Sequence, residues 1–199
     1  MRTLANPITS ASSKTAIGLA HLLSTRKIST CHIVGLTSKR NLDFARGIGV
    51  YDRVVAYDDR EILTSGSVAV ADFSGNSALI QKLQDALGNR VVFFCLIGYT
   101  HWDRRSLDII EDAKMVRFFA PNQIRKRARE WGANEFNRRY NEALQAYIHH
   151  SRGWLEIVEG FGPKKLPRCL NGSLETRSAL TKDTSSLCTG EKRRLQTDE

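Results

Sequence analysis

Two short polar segments have the residue types and the spacing of a nucleotide-binding site. The first, residues 10–16, reads Ser-Ala-Ser-Ser-Lys-Thr-Ala and leads into a run with helical spacing. Small side chains let backbone amides approach a phosphate, and a helix N-terminus attracts negative charge. We therefore expect Ser12, Ser13, Lys14 and Thr15 to contact a pyrophosphate. The alternative is an ordinary helix start capped by a serine. The spacing does not match a P-loop, and the usual glycine-rich fingerprint is absent.

The second segment follows an apolar run at residues 31–36 and carries Thr37, Ser38, Lys39 and Arg40. A site for NAD normally has an acidic residue at this place, which holds the ribose hydroxyls. Hydroxyl and basic side chains would instead attract a 2′-phosphate. The pair of segments therefore predicts NADPH as the cofactor, in preference to NADH. A solvated basic turn is the alternative interpretation.

Two later apolar runs end in small or polar residues, at the edge of a sheet where ligands of open α/β proteins bind. These polar ends are residues 72–76 (Asp-Phe-Ser-Gly-Asn) and 97–102 (Ile-Gly-Tyr-Thr-His-Trp). We expect Gly98 and Thr100 to line the nicotinamide site. Tyr99 and His101 are the candidate catalytic residues, with His101 as a proton donor, although a purely structural histidine is the alternative.

Strand-like and helix-like segments alternate along most of the chain. Strands are predicted at 31–36, 53–57, 67–72, 90–97 and 115–119, and helices at 14–24, 41–47, 77–87, 122–131 and 134–150. Parallel neighbours need crossover connections, so this order predicts an α/β fold with a Rossmann-like, doubly wound parallel sheet and extra C-terminal helices. The continuously apolar run at 91–97 predicts a strand that helices cover on both faces. Pro7 cannot donate a ladder hydrogen bond, which argues against a full first strand.

Length and composition indicate a globular domain with a polar end. The chain has 199 residues, 41% of them hydrophobic, and a net charge of +9. We predict a dinucleotide-binding domain over residues 1–163 and a flexible polar tail over 164–199, where apolar residues become sparse. No run is long and apolar enough for a membrane span or a signal peptide, and the widely spaced cysteines predict neither a disulfide framework nor a metal site. These features favour a cytoplasmic protein.

The net charge favours anionic partners, and the predicted helices at 122–150 carry many arginines. Glu130, Glu135 and Glu142 interrupt this basic surface, which argues against a nucleic-acid partner. A nucleic-acid module on these helices is the third hypothesis.

Several motifs in combination resemble the DUF2855 family, a divergent branch of the medium-chain dehydrogenase/reductase superfamily that is similar to quinone and enoyl reductases. They are SASSKTAIGLA at 10–20, VGLTS at 34–38, GVYD at 49–52, DFSGN at 72–76, CLIGYTHW at 95–102 and FFAPNQI at 118–124. The resemblance runs from residue 8 to residue 163. It implies a Rossmann domain that uses NADPH, with residues 12–15, 37–40 and 98–101 lining the cleft. It also implies hydride transfer to an activated alkene or carbonyl, commonly without a metal.

The family's relatives resemble two-domain enzymes in which an N-terminal GroES-like domain closes over the nicotinamide. This chain begins almost at the pyrophosphate segment, so we expect that domain to be lacking and a partner or dimer mate to complete the cleft. The leading hypothesis is an NADPH-dependent oxidoreductase-like protein of secondary metabolism. Its small-molecule substrate would be a conjugated ketone, a quinone or a polyketide-like intermediate. The alternative is a truncated, non-catalytic accessory protein that retains a nucleotide-binding fold.

Overall fold

The computed structural model describes residues 4–26, 31–59, 66–98, 114–159 and 183–187. The chain divides into two compact units, residues 1–147 and residues 148–199. In chain order the elements are β1 (Leu4–Ile8), α1 (Lys14–Thr25), β2 (Cys31–Thr37), a short 3-10 helix (Lys39–Asn41), α2 (Leu42–Gly47), β3 (Arg53–Ala56), β4 (Ser67–Asp72), α3 (Ser77–Leu87), a second 3-10 helix (Gly88–Arg90), β5 (Val91–Leu96), β6 (Met115–Arg117), α4 (Ala120–Trp131), α5 (Ala133–Ser151), β7 (Leu155–Glu159) and β8 (Asp183–Leu187).

The first unit contains a six-stranded parallel sheet in the order β3-β2-β1-β4-β5-β6. From β1 the chain proceeds outward through β2 to β3, and it then returns to the centre and proceeds through β4 and β5 to β6. The direction of winding therefore reverses between β1 and β4, which is the switch point where ligands of doubly wound sheets bind. The predicted Rossmann-like α/β fold is confirmed.

The prediction that Pro7 prevents a full first strand was wrong, because β1 is a central strand of the sheet. Its five residues pair continuously with β2, and Pro7 is opposite Val34. The pairing with β4 involves Leu4, Ala5 and Ile8 and skips the two residues between them. The missing donor of Pro7 thus interrupts the ladder only locally, and pairing on both sides of it keeps the strand in place.

A hydrophobic core lies between α3 and the sheet. The apolar stripe of α3 is buried at Leu79, Ile80, Leu83 and Leu87, as its helical spacing predicted. It packs in a cluster that also contains Val34, Leu36, Val55, Val68, Val70, Val91 and Phe94. Burying each large apolar side chain contributes about 1.5–3 kcal/mol, so this cluster anchors α3 firmly to four strands.

The strand β5 differs from its prediction, because two of its apolar residues are exposed and no helix of the described residues covers them. Val92 and Phe93 are 52% and 42% exposed, whereas Phe94 is 1% exposed. The register with β4 shifts between Val68 and Ala69, which leaves Val92 as an extra, bulged residue. A continuous apolar run cannot distinguish a strand covered on both faces from one that is covered on one face and carries a bulge.

The helices α4 and α5 are largely solvent-exposed and their charges pair along their own surfaces. Arg138 contacts Glu135 and Glu142 at 2.7 and 2.6 Å, and Arg139 contacts Glu135 at 2.6 Å. Hydrogen bonds from Arg138 and then Arg139 lower the pKa of Glu135 to about 2. The guanidinium of Arg139 also lies 4.4 Å from the ring centre of Trp131. Much of the positive charge of α5 is thus balanced locally.

The second unit contains the parallel pair β7 and β8. The strand β8 lies within the segment that we predicted to be a flexible tail, and the predicted boundary at residue 163 falls outside the described residues. Of the helices that the structure describes, none combines the length and the apolar composition of a membrane span.

Candidate functional site

Four turns meet at the carboxyl edge of the sheet around the switch point. They are the β1–α1 turn (residues 9–13), the β2–α2 turn (residues 38–41), the segment after β3 (residues 57–59) and the β4–α3 turn (residues 72–76). Because every strand of this sheet is parallel to its neighbour, all four follow strand ends on the same edge. This edge contains most of the predicted site residues that the structure describes.

The β1–α1 turn has a constrained backbone and small side chains. Ser10 has a φ of 51°, in the left-handed region that favours glycine. Such a conformation costs a non-glycine residue roughly 1–3 kcal/mol and persists only where its surroundings hold it. Here Ala11 donates its N–H to the Leu36 carbonyl at 3.0 Å, and its carbonyl accepts from the Tyr51 hydroxyl at 2.9 Å. Ser13 caps α1, accepting from the N–H of Ala16 at 3.4 Å.

Ser12 joins the first turn to the second. Its Oγ accepts a hydrogen bond from Nδ2 of Asn41 at 2.9 Å and lies 3.4 Å from Oγ1 of Thr37. The structure therefore brings together Ser12 and Thr37, which the sequence assigned to the two separate halves of one nucleotide site. Lys14 and Thr15 lie exposed at the start of α1.

Asn41 is a residue of this site that the sequence analysis missed. It occupies the cap position of α2 but makes no capping hydrogen bond, because its amide points to Ser12 instead. The side chain is 8% exposed, and its Oδ1 has no hydrogen-bond partner among the described residues. The Oγ of Ser38, three positions earlier, is a second buried oxygen without a partner in the same part of the chain.

Buried polar atoms without partners are rare in folded proteins, since each costs about 1–3 kcal/mol. Two of them lie in one turn, and the side chain of Asn41 also contacts Ser12. A ribose carries hydroxyl groups that both donate and accept, so it has the hydrogen-bonding chemistry that such oxygens need. The residues present thus fit the sugar of a nucleotide.

Lys39 projects from the second turn and forms an ion pair with Asp58, the second residue after β3. The Nζ–Oδ2 distance is 2.8 Å, and the two side chains are 76% and 58% exposed. The hydrogen bond to Asp58, and then its charge, raise the pKa of Lys39, while the hydrogen bond from Lys39 lowers the pKa of Asp58. Arg40 lies exposed beside Lys39. The predicted basic turn is therefore basic at its surface, with an acidic neighbour.

Tyr57 connects the end of β3 to the first turn. Its hydroxyl accepts a hydrogen bond from the backbone N–H of Ser10 at 2.8 Å, and its own N–H donates to the Thr37 carbonyl at 3.0 Å. Burial raises the pKa of Tyr57, so the phenol stays protonated at neutral pH. The sequence analysis missed this role, although a tyrosine that directly follows an apolar strand was a usable signal.

A buried carboxylate organises the β4–α3 turn. Asp72 is 0% exposed, and its Oδ1 accepts from Oγ1 of Thr9 at 2.6 Å and from Oγ of Ser74 at 2.7 Å. The N–H of Ser74 is 3.2 Å from Oδ1, and the N–H of Gly75 donates to Oδ2 at 2.9 Å. Thr9 in turn accepts from the N–H of Phe73 at 2.8 Å. This network ties the ends of β1 and β4 together across the switch point.

The structure describes only part of the predicted nicotinamide end. Gly98 follows β5, and its N–H donates to the carbonyl of Asp72 at 3.1 Å. A Cβ atom at Gly98 would overlap the backbone carbonyl of Phe73, so packing between the ends of β4 and β5 already requires glycine there. Tyr99, Thr100 and His101 lie outside the described residues. Their roles stay predictions.

Among the residues that the structure describes, no group of three histidine, cysteine, aspartate or glutamate side chains could hold a metal ion. The described cysteines, Cys31 and Cys95, are free thiols.

Comparison with solved structures gives a match to a Bacillus thuringiensis protein described as an NADPH:quinone reductase. The TM-score is 0.53 at 11% sequence identity, over 95% of this chain and 57% of the other. The chain thus spans little more than half of that structure, and the likeness concerns the fold. A search of curated proteins gives no match. The model of a family described as proteins of unknown function, DUF2855, matches residues 6–176. That match covers most of the sequence, and with the sheet order and the motifs at its carboxyl edge it shows that the chain belongs to the DUF2855 family.

Proposed function

We propose that this chain binds NADPH at the carboxyl edge of its sheet and acts as the cofactor domain of an oxidoreductase. The observation that carries the proposal is the pair of buried oxygens on Ser38 and Asn41, which lie in one turn without partners in the described part of the chain. The Asn41 side chain contacts Ser12 at the switch-point edge, where doubly wound sheets bind dinucleotides. The likeness in fold to a protein described as an NADPH:quinone reductase supports the same assignment.

Each turn would hold a different part of the cofactor. Ser12 and Ser13, with the exposed Lys14 and Thr15, would hold the pyrophosphate at the start of α1. Thr37, Ser38 and Asn41 would hold the adenosine ribose. Lys39 and Arg40 would bind the 2′-phosphate through charge-assisted hydrogen bonds. When bound, the nicotinamide of NADPH supplies a hydride to an electrophilic carbon.

The reaction that we propose is reduction of a conjugated ketone, a quinone or a polyketide-like intermediate. Gly98 and Thr100 would line the nicotinamide site, while Tyr99 and His101 would face the substrate, with His101 as a proton donor. A partner chain or a second copy would close the cleft and exclude water from it. In the cell we place this activity in the cytoplasm, within secondary metabolism.

The test is calorimetric titration of the purified chain with NADPH and with NADH. The double variant Lys39→Ala, Arg40→Ala should weaken NADPH binding by a few kcal/mol, because each charge-assisted hydrogen bond contributes about 1.5–3 kcal/mol. Binding of NADH should barely change. The matched control, Lys126→Ala with Arg129→Ala on α4, removes the same charge away from the site and should leave both affinities unchanged.

Asn41→Ala tests the ribose assignment separately. It should weaken the binding of NADPH and of NADH to a similar degree. Equal losses for NADPH and NADH in the double lysine and arginine variant would contradict the 2′-phosphate assignment. A folded wild-type chain that binds neither cofactor would refute the proposed function and favour an accessory protein.

A further inference from the structure

The ion pair at the rim of the site assigns a role to Asp58. We propose that Asp58 determines cofactor specificity by occupying Lys39 and thereby limiting the affinity of the basic turn for a 2′-phosphate. This inference rests on the proposed function, since it concerns the same nucleotide site.

The fold places Asp58 against the second turn. Tyr57 donates its backbone N–H to the carbonyl of Thr37 at 3.0 Å, so the residue after it lies beside the β2–α2 turn. The carboxylate of Asp58 then lies 2.8 Å from the ammonium of Lys39. Lys82, whose Nζ donates to the Tyr57 carbonyl at 2.6 Å, is a further cation near this carboxylate. Asp58 thus already holds the position on Lys39 that an incoming anion needs.

The strength of this competition follows from exposure. Both side chains are more than half exposed, and an exposed ion pair contributes little net free energy. Lys39 therefore remains available to a phosphate. Breaking this pair to bind a phosphate lowers the affinity by about three- to fivefold at low salt, where exposed ion pairs are strongest. Asp58 modulates the site and does not block it.

A ligand without the 2′-phosphate does not experience this competition. The ribose hydroxyls of NADH are neutral and need no contact with Lys39. Asp58 therefore lowers the preference for NADPH over NADH while leaving the oxygens of Ser38 and Asn41 unaffected. A different role for the same carboxylate, a hydrogen bond to the adenine amino group, predicts the opposite result and is an outcome of the test.

The experiment compares the wild type with Asp58→Asn by titration with NADPH and NADH at low ionic strength. The variant should bind NADPH about three- to fivefold more tightly, because Lys39 no longer has to leave Asp58, and the NADH affinity should be unchanged. The gain should shrink as salt is added. Asp85→Asn, on the exposed surface of α3, makes the same charge change and should leave both affinities as they are.

A second set of variants separates competition for Lys39 from direct electrostatic repulsion between Asp58 and the phosphate. If Asp58 acts by occupying Lys39, the gain from Asp58→Asn should fall to less than twofold when Lys39 is already alanine. A gain of the same size in both backgrounds would overturn the proposed contact. So would an unchanged NADPH affinity in the single variant, or a loss of affinity for both cofactors.

The two proposals fail in different ways. Wild-type binding of NADPH with no effect of Asp58→Asn overturns the role of Asp58 and leaves the proposed function standing. Absence of binding of either cofactor to every folded variant overturns both.

Discussion

Replacement of Asp72 by asparagine should destabilise the whole carboxyl edge of the sheet. The carboxylate is buried and accepts hydrogen bonds from four donors, the hydroxyls of Thr9 and Ser74 and the backbone N–H groups of Ser74 and Gly75. Asparagine has almost the same shape but only one acceptor atom. The substitution therefore changes hydrogen bonding with little change in volume.

The magnitude follows from where the new amide group would lie. If the oxygen keeps the three donors at Oδ1, the NH₂ group replaces Oδ2 and faces the N–H of Gly75. That leaves buried donors without acceptors, at about 1–3 kcal/mol for each unsatisfied group. The three remaining bonds also lose their charge assistance, while burying a neutral amide costs less than burying a carboxylate. We expect a net loss of about 2–4 kcal/mol.

Urea denaturation followed by circular dichroism measures this loss. A melting temperature lower by roughly 5–15 °C should accompany it in a domain of this size. Thr9→Val removes another member of the network, and the double variant should lose less than the sum of the two single losses. Asp85→Asn should change stability by less than about 0.5 kcal/mol. A loss below about 1 kcal/mol for Asp72→Asn would refute this account of the turn.

Three further predictions concern packing and pH. Gly98→Ala should destabilise the protein by at least about 2 kcal/mol in urea denaturation, because its methyl group would overlap the Phe73 carbonyl. Gly18→Ala, whose new atom would lie 3.7 Å from the Tyr147 ring, should be neutral or stabilising by up to about 1 kcal/mol, and a large loss there would contradict the packing. Burial raises the pKa of Tyr51 above its ordinary value of 10, so the unfolded chain loses this proton first and stability should fall as pH rises above 10. Tyr51→Phe should flatten that fall above about pH 10, and an equally steep fall would show that other groups cause it.

The pattern of apolar residues was sufficient to predict most of the fold. The strand β4 and the helix α3 begin and end at the predicted residues, since each carries an apolar run or stripe with clear boundaries. The interpretation of Pro7 was wrong, because a sequence does not show that strand pairing continues on both sides of a residue without an N–H donor. The bulge at Val92 could not be predicted from the sequence either, since it depends on the register between β5 and β4.

The candidate site was predictable only in part, for a similar reason. Ser12 and Thr37 were identified by residue type and by position after apolar runs. Asn41 looked like an ordinary helix start, and only its contact with Ser12 shows that its amide has a different role. Tyr57 directly follows an apolar run, which was a usable signal, but its contact with the Ser10 amide is far away in sequence and leaves no local pattern.

The central position of β1 also has a kinetic consequence. Leu4 pairs with Cys31 on one side and with Ser67 on the other, so the strand is synthesised before either neighbour. Closing the longer of these loops costs entropy before the pairing returns any stability, which slows folding. During synthesis one edge of β1 stays unpaired until β4 has been made. Ile8 and Pro7, which are buried in the folded protein, are exposed until then. An exposed edge of this kind promotes pairing with other chains, so this protein should depend on chaperones more than a fold built from local contacts.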